Sequence, residues 1–402
     1  MKTIIFIDTY KSGSSRDAIK AAEQLGYFTV LFTNRTTFMA DKSQFPDIHE
    51  CIFMDLSDQE GIREKIKSLQ AQGYMIHTII SFIHSHVHTA ALLAEEFCQK
   101  HLSTEAIFKM ENKIETRLCL QDTPYNIKHA IYDAKEPFLL EQYPLQFPII
   151  VKSPRSTGSK DVLKAENELD LHNYINQLSE KYPGASILLE EYIEGPQYLV
   201  ETLVYNGEIN IVAILEQEIT PTHPFIITGY ELLAEVPPYL YDSLYSAVIS
   251  IIQQFGMTNG ACHLELRHHH HEWKLVEINP RISGTAMNKM IEAAYGINLA
   301  KQILKVALGE KPNLEKKYKK FVFTQHVTLS TEGILQKVTG KSNALQYDGV
   351  YEVFIKPKKG AYVHPPWSMG HRYAYVIAAS ASKEEARQIA KTAAKEITFH
   401  IE

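Results

Sequence analysis

The chain opens on a short apolar run, "TIIFI" (3–7), with the length and uniformity of a strand buried on both faces. A polar loop, "DTYKSGSS", follows, then a helical pattern over 16–25 and a second apolar strand, "FTVLF" (28–32). After "CIFMDL", Ser57-Asp58-Gln59-Glu60 has the spacing of a capping box and predicts a helix that stops at Gly73. "HTIISF" (77–82) predicts another buried strand, with a helix over 90–99 after it. Strand and helix alternate, so residues 1–105 read as an N-terminal open parallel α/β domain.

The pattern changes in the middle of the chain. "FPIIVKSPRSTGSKDV" (147–162) predicts a strand, a loop of small residues and more strand. "ASILLEEYIEGPQYLVETLVYNGEINIVAILEQ" predicts a strand, a Gly-Pro break and an antiparallel meander turning at "YNGE". A helix over 238–255 precedes two strands that flank His268–His271. Helices over 285–294 and 299–308 come next. The last ninety or so residues are mixed. "YEVFI" and "RYAYVIAAS" predict strands, and Ser382-Lys383-Glu384-Glu385 predicts the cap of a helix over 383–398.

Composition narrows the class. The chain has 402 residues, too many for one ordinary core, with 45% hydrophobic and 22% charged residues. Its net charge is −6 and no basic stripe dominates, which argues against nucleic acid as a partner. The run "EKKYKK" (315–320) reads as a solvated connector. Four scattered cysteines, with no C-x-x-C, read as reduced thiols. The apolar start is too short for a signal peptide and no run is long enough to span a bilayer. A cytoplasmic protein with no membrane partner is the expectation. The first β-α turn holds Gly13 but no G-x-G-x-x-G, which disfavours a dinucleotide-dependent oxidoreductase.

The candidate chemistry gathers on "VEINPRISG" (276–284). Alternation along a strand puts Glu277, Asn279 and Arg281 on one face, before Pro280 and Gly284 break the pattern. In "ACHLELR" the same alternation aligns His263, Glu265 and Arg267. A five-residue loop at 268–272 would make the two strands antiparallel, with Glu265 and Glu277 on a shared face. Two carboxylates on adjacent strands repel unless a cation lies between them. With the Asn279 oxygen they form an all-oxygen set that suits Mg2+ better than zinc.

Lys152 stands inside an apolar strand and calls for an anion. The loop after it, with Ser156, Thr157, Gly158 and Ser159, could cradle a phosphate or simply turn a hairpin. Lys113, taken alone, reads as a solvent-facing helix residue. In "LLEEYIEG", Glu190 and Glu191 could meet an adenine amino group or could line an exposed edge. His84, His86 and His88 lie at the end of the 77–82 strand, where open α/β sheets bind ligands. They read as a polar loop touching substrate or as a metal site. His268–His271 reads as a hairpin loop.

The order Lys113, Lys152, "STGS", "EEYIEG", "HLE", "EINPRISG" resembles the ATP-grasp superfamily, most closely its L-amino-acid (dipeptide) ligases. The resemblance runs nearly the full length. It implies a two-part grasp fold over 106–308 with a small lid at about 122–188, and a C-terminal α+β domain over 309–402. It implies that Lys113, Lys152 and the 156–159 loop hold ATP phosphates, and that Glu190, Glu191, the backbone at Ile193, and Gln197 hold the nucleoside. Glu265, Glu277 and Asn279 would bind Mg2+, with Mn2+ as a substitute. Arg281 and the Gly284 loop would stabilise the acyl phosphate and the tetrahedral intermediate. Ser81, His84, Tyr230, His263, Ser283 and Thr285 would line the amino-acid substrates, in a protein whose relatives are commonly homodimers. The segment "HPFIITGYELLAEVPP" would begin a substrate loop and helix. The chain departs from the family at Gln197, where an acid is usual, at Ile227 to Tyr230, where some relatives have E-x-G-H, and at Thr285, where some have tryptophan. The implied activity is ATP-dependent joining of a carboxylate to an amine. ATP-dependent carboxylation and a nucleotide-binding protein without turnover are the alternatives.

Overall fold

The computed structural model describes the chain except residues 41, 134–137, 139, 154–157, 159, 221–224 and 285. Strands β1 (Lys2–Ile7), β2 (Phe28–Thr33), β3 (Glu50–Phe53) and β4 (Met75–Ile80) form a parallel sheet in the order β3-β2-β1-β4. Helix Ser14–Gln24 joins β1 to β2, helix Gln59–Ala71 joins β3 to β4, and helix Val87–Phe97 follows β4. Both faces are covered, which is why these strands are almost uniformly apolar. The chain leaves β1 toward β2 and returns on the other side as β4. The carboxyl ends of β1 and β4 therefore frame the topological switch point, where such sheets bind ligands. One predicted cap is displaced by a residue. Asp58, not Ser57, caps its helix by accepting the Gly61 N–H, while the Ser57 hydroxyl donates to Asp55.

A second sheet, β5 (His129–Tyr132), β6 (Ile149–Lys152), β7 (Val162–Ala165) and β8 (Ile187–Glu191), has the order β5-β8-β6-β7 and packs on helix Glu168–Lys181. It is the small lobe. The large sheet takes β9 (Gln197–Tyr205), β10 (Glu208–Thr220), β11 (Ile226–Leu232), β12 (Gly260–His269) and β13 (Glu272–Asn279). It continues without a break into β14 (Phe321–Val327), β16 (Val350–Ile355) and β18 (Ala374–Ser380), so the expected boundary at 309 does not interrupt the sheet. Strands β15 (Gly333–Thr339), β17 (Tyr362–Val363) and β19 (Thr398–Ile401) make a small third unit. Of the segment expected to begin a substrate loop and helix, His223 and Pro224 lie outside the described residues, Ile226–Leu232 is strand β11, and a helix follows at Pro238–Phe255; the last helix stops at Lys395 so that the chain can close on β19. The Ser382 cap forms as the sequence predicts, its side chain accepting the Glu385 N–H.

One face of the large sheet packs on helices Thr104–Glu111 and Pro238–Phe255 through Val200, Leu264, Leu266 and Ile278. The other carries Leu199, Leu203 and Leu215 against helices Met287–Tyr295 and Leu299–Ala307 and the N-terminal domain. The polar residues singled out above interrupt this second face. Two-residue turns shape its edges. Asn206-Gly207 and His270-His271 both have positive φ at each position, as tight hairpins with the right twist require.

Candidate active site

The hairpin β12–β13 brings the two acids together by a route the sequence does not show. The loop is two residues long, not five, so Arg267 opposes Lys274 and Leu266 opposes Leu275. That register would place Glu265 against an even-numbered residue. A bulge at Val276 corrects it by one, and Glu265 then pairs with Glu277 and His263 with Asn279. Strand β9 continues the rows, with Glu201 beside His263 and Gln197 beside Arg267.

Arg117 underlies the bulge. It is 1% exposed, and its two terminal nitrogens donate to the carbonyls of Leu275 (2.8 Å) and Val276 (3.0 Å). Its Nε donates to Glu190 at 2.5 Å, and Lys152 meets the other oxygen of that carboxylate at 2.6 Å. Burial would raise the Glu190 pKa, but Arg117 and Lys152 outweigh it and hold the group near 2. Glu190 was expected at the adenine. Its carboxylate instead fixes Lys152, because two buried cations within reach compete for both oxygens. Sequence reading missed Arg117, whose helix pattern resembles that of any surface arginine.

The cleft between the lobes is lined by Lys113, Lys152, Glu190, Ile193, Gln197, Glu265 and Glu277, with apolar walls from Ile150, Val162, Ile219 and Ile227. Lys113 opens its helix, capped by Asn112, and is not turned to solvent. Its Nζ lies 3.6 Å from Glu277. Glu191 lies at the rim, paired with Lys128 and accepting the Gln146 N–H. The Ile193 carbonyl accepts from Arg267. Gln197 was expected at the ribose. Its amide instead donates to Gln217 (2.6 Å) and Glu265 (3.0 Å), while its oxygen accepts from Arg267 (3.0 Å). It therefore positions Glu265. Gly195 has φ +114°, and a Cβ there would sit 2.2 Å from the His268 carbonyl oxygen, so the chain needs glycine to pass the hairpin.

Glu265 and Glu277 titrate as a pair. Burial and the charge of Glu277 push Glu265 up. Burial acts the same way on Glu277, but Lys113 and Lys152 overcome it and keep that carboxylate low. The two lysines thus offset part of the charge that a divalent cation between the acids would neutralise. The donor set fits a hard cation: two opposed carboxylates, with the Asn279 amide beside them. Among the described residues no group of three or more His, Cys, Asp or Glu could hold a metal ion, and that includes His84, His86 and His88.

Strand β13 ends at Asn279, where the Arg281 N–H bonds back to the Asn279 carbonyl at 2.8 Å. Arg281 was expected one strand step beyond the acids. It lies instead beyond a tight turn about Pro280, closed by the Arg281 N–H to the Asn279 carbonyl. His263 holds this turn, its Nδ1 2.8 Å from the Arg281 carbonyl and its Nε2 3.2 Å from the Asn279 amide nitrogen. His263 is therefore a positioning residue rather than a lining one. Ser283 donates its N–H to Glu201 and accepts from Ser14 at its carbonyl, which anchors the loop to both domains. Gly284 is exposed, with open space at its Cβ. His84, from the switch point, hydrogen bonds Asn279, and burial lowers its pKa to about 4. Ser81 does not reach the cleft. Its hydroxyl donates to the Ile7 carbonyl at 2.7 Å and ties off β4. Tyr230 is buried on β11, between His326 and Arg372. Gly158, in the lid loop, accepts the Met369 N–H from the C-terminal region. The remaining expected residues, Ser156, Thr157, Ser159 and Thr285, lie outside the described residues.

Comparison with known proteins bears on the same regions. Residues 145–289 match the family model for the ATP-grasp domain, residues 19–97 the ATP-grasp N-terminal domain, and residues 325–402 the L-amino acid ligase C-terminal domain 2. The L-arginine-specific L-amino acid ligase of Bacillus subtilis is 26% identical over 275 residues, covering 66% of each chain. The crystal structure of an L-amino acid ligase from Bacillus licheniformis superposes with a TM-score of 0.85 at 19% identity, covering 100% of this chain and 99% of that one. The biotin carboxylase domain of Hydrogenobacter thermophilus 2-oxoglutarate carboxylase gives 0.73 at 16% identity, covering 99% and 90%. The chain spans about half to two thirds of the length of the first curated relatives it matches. The chain thus carries ATP-grasp domains with an L-amino acid ligase C-terminal domain, in the fold of the solved L-amino acid ligase, with the opposed acids and the two lysines in one cleft.

Proposed function

We propose that the protein is an ADP-forming carboxylate–amine ligase that activates an L-amino acid and joins it to a second amino acid. The observation that carries this reading is the single cleft in which Glu265 and Glu277 oppose one another, facing Lys113 and Lys152, with Arg281 just past the turn. A nucleotide-holding site has no use for an arginine beyond the metal acids, whereas phosphoryl transfer to a carboxylate does.

Lys113 and Lys152 would meet the ATP phosphates. Glu265, Glu277 and Asn279 would hold Mg2+, or Mn2+ in its place, and the ion supplies charge neutralisation at the transferred phosphoryl group. The substrate carboxylate takes the γ-phosphoryl group to give an acyl phosphate and ADP. The amine then attacks the acyl carbon, the C–O bond to phosphate breaks, and phosphate leaves with the electron pair. Arg281 stabilises the oxyanion between these events. The lobe carrying Lys152 would cover the phosphates and exclude water, which would otherwise hydrolyse the acyl phosphate.

The test is phosphate release with product masses across pairs of L-amino acids, for the wild type and Arg281→Ala. A dipeptide mass that disappears in the variant supports the reading. ADP formation with bicarbonate and no amino acid would replace it with carboxylation. ATP binding without ADP under any acceptor would leave a nucleotide-binding protein.

A further inference from the structure

A patch of idle polar atoms and uncompensated cations lies where the C-terminal region meets the wall of the cleft. Strand β14 pairs with β11 so that Thr324 stands beside Tyr230, and His326 follows two residues along on the same face. Thr324 is fully buried and His326 is 3% exposed. The Thr324 hydroxyl and both ring nitrogens of His326 have no hydrogen-bond partner. The His326 ring meets Tyr230 edge-on at 5.7 Å and Tyr375 at 5.9 Å. Burial, and then the Arg372 charge, push its pKa well down, so the neutral ring carries one N–H and one lone pair, both unused. The Arg372 guanidinium lies 5.7 Å from the Tyr230 ring and donates to the Met369 and Ile227 carbonyls at 3.2 and 3.3 Å. Lys356, near enough to feel that charge, donates to the Gly370 carbonyl at 2.5 Å. Both cations thus rest on neutral carbonyls, and among the described residues no ion pair joins either to an acid. A staple between β11 and the C-terminal region needs neither idle donors nor an uncompensated charge, and both are costly when buried. The patch also adjoins the reacting groups. Ile227, which holds Arg372, lines the cleft. The Tyr230 hydroxyl has Arg372 as its partner and feels the charges of Glu265 and Glu201, and Glu201 anchors the loop behind Arg281 through the Ser283 N–H.

These groups call for one anion. A carboxylate would neutralise Arg372 and accept from Thr324 or the His326 ring, whereas a metal ion or an ammonium group would be repelled. In the ligase reading the ATP phosphates meet Lys113 and Lys152 and the activated acyl group meets Arg281, which leaves the molecule that brings the amine. We propose that Arg372, with Tyr230 and His326, forms a subsite for a carboxylate on the amine-bearing substrate, so that the C-terminal region selects the acceptor. This rests on the ligase reading above. It adds that the acceptor must carry a negative charge, and it assigns that selection to Arg372 and His326, which the sequence motifs do not include.

The experiment separates activation from ligation. Hydroxylamine carries no carboxylate and reads activation alone: its nitrogen attacks the acyl carbon, the C–O bond to phosphate breaks, phosphate leaves with the electron pair, and the proton goes to water. Ligation is read as product mass with ATP, Mg2+ and a series of acceptors: amino acids, their α-amides, the decarboxylated amines and, for acidic acceptors, the side-chain amides. In the wild type, loss of the carboxylate that Arg372 holds should raise the acceptor KM about tenfold or more. Loss with the α-amides assigns the α-carboxylate, and loss with the side-chain amides assigns the side-chain one. Arg372→Gln should raise the acceptor KM by a like factor, far more than it alters hydroxamate formation, and Arg372→Lys should recover part of the loss. A merely structural role would lower both readouts together. A wild type that uses acids, amides and amines equally overturns the proposal without any variant. So does an Arg372→Gln protein that melts as a folded chain and keeps the wild-type acceptor KM. No hydroxamate from any carboxylate in the wild type overturns the ligase reading itself and the proposal with it.

Discussion

Replacing Arg117 by methionine removes the group that ties the β12–β13 hairpin to Glu190 and, through it, to Lys152. Methionine fills similar volume, so the loss is mainly of hydrogen bonds. Three go: one to Glu190 at 2.5 Å and two to the Leu275 and Val276 carbonyls at 2.8 and 3.0 Å. A hydrogen bond to a charged group contributes about 1.5–3 kcal/mol, and each buried carbonyl left unsatisfied costs about 1–3 kcal/mol. Relaxation and water entry recover part of this, so the expected loss is about 3–5 kcal/mol, the usual range for breaking a buried ion pair. In a cooperative unit of roughly 150–250 residues that corresponds to a fall in Tm of about 6–20 °C. Arg117→Lys should recover less than half of it, because an ammonium cannot serve three acceptors set out for a planar fork. Arg117→Met combined with Glu190→Gln should cost less than the two single variants added together, since each removes the other's partner. The assay is thermal melting of the wild type and the four variants with MgADP and without it. A Tm for Arg117→Met within about 2 °C of wild type, or strict additivity with Glu190→Gln, would mean that Arg117 does not tie these elements together.

Further expectations concern the cleft. Glu265 is pushed up by burial and by Glu277 opposite, so a proton must leave before a cation enters. MgADP affinity should therefore rise with pH through neutrality, and calorimetry on Glu265→Gln should show a weaker but flatter dependence. Arg281→Ala should lower kcat by about 10²–10³ with ATP affinity little altered, read by steady-state kinetics and nucleotide binding. Gly195→Ala would drive a Cβ into the His268 carbonyl at a positive φ and should cost about 1–3 kcal/mol in a melt. Glu201 stays protonated to about 8, well above an unfolded carboxyl. Its contribution to stability is full below the unfolded pKa and is lost as pH rises toward 8, so Glu201→Gln should flatten the decline of Tm across that window.

The alternating apolar pattern carries the first sheet and the meander plainly, because burial on one or both faces writes itself into every second residue or every residue. The C-terminal strands were harder. Phe321–Val327 reads as another apolar stretch until β11 is known to await a partner. The opposed acids are legible from alternation, although the predicted five-residue loop is not what sets their register. The turn is two residues, and a bulge absorbs the difference. A bulge depends on what lies beneath the strand, here Arg117, and no local pattern announces that. Glu190 and Gln197 illustrate the same limit. Their motif places them at the cleft, but which neighbour takes each oxygen is decided by residues some 70 positions away in the chain. Thr324 and His326 carry no motif at all. Their isolation becomes visible once burial and the absence of partners are counted atom by atom.

The central claim is that a carboxylate receives the γ-phosphoryl group. It can be tested by following oxygen. An amino-acid mixture labelled with ¹⁸O in the carboxyl groups is incubated with protein, ATP and Mg2+, and the released phosphate is analysed by mass. Acyl phosphate formation and cleavage by an amine carry one labelled oxygen into each phosphate. Phosphate released without label, or no phosphate released at all, would contradict the assignment of this cleft to carboxylate activation.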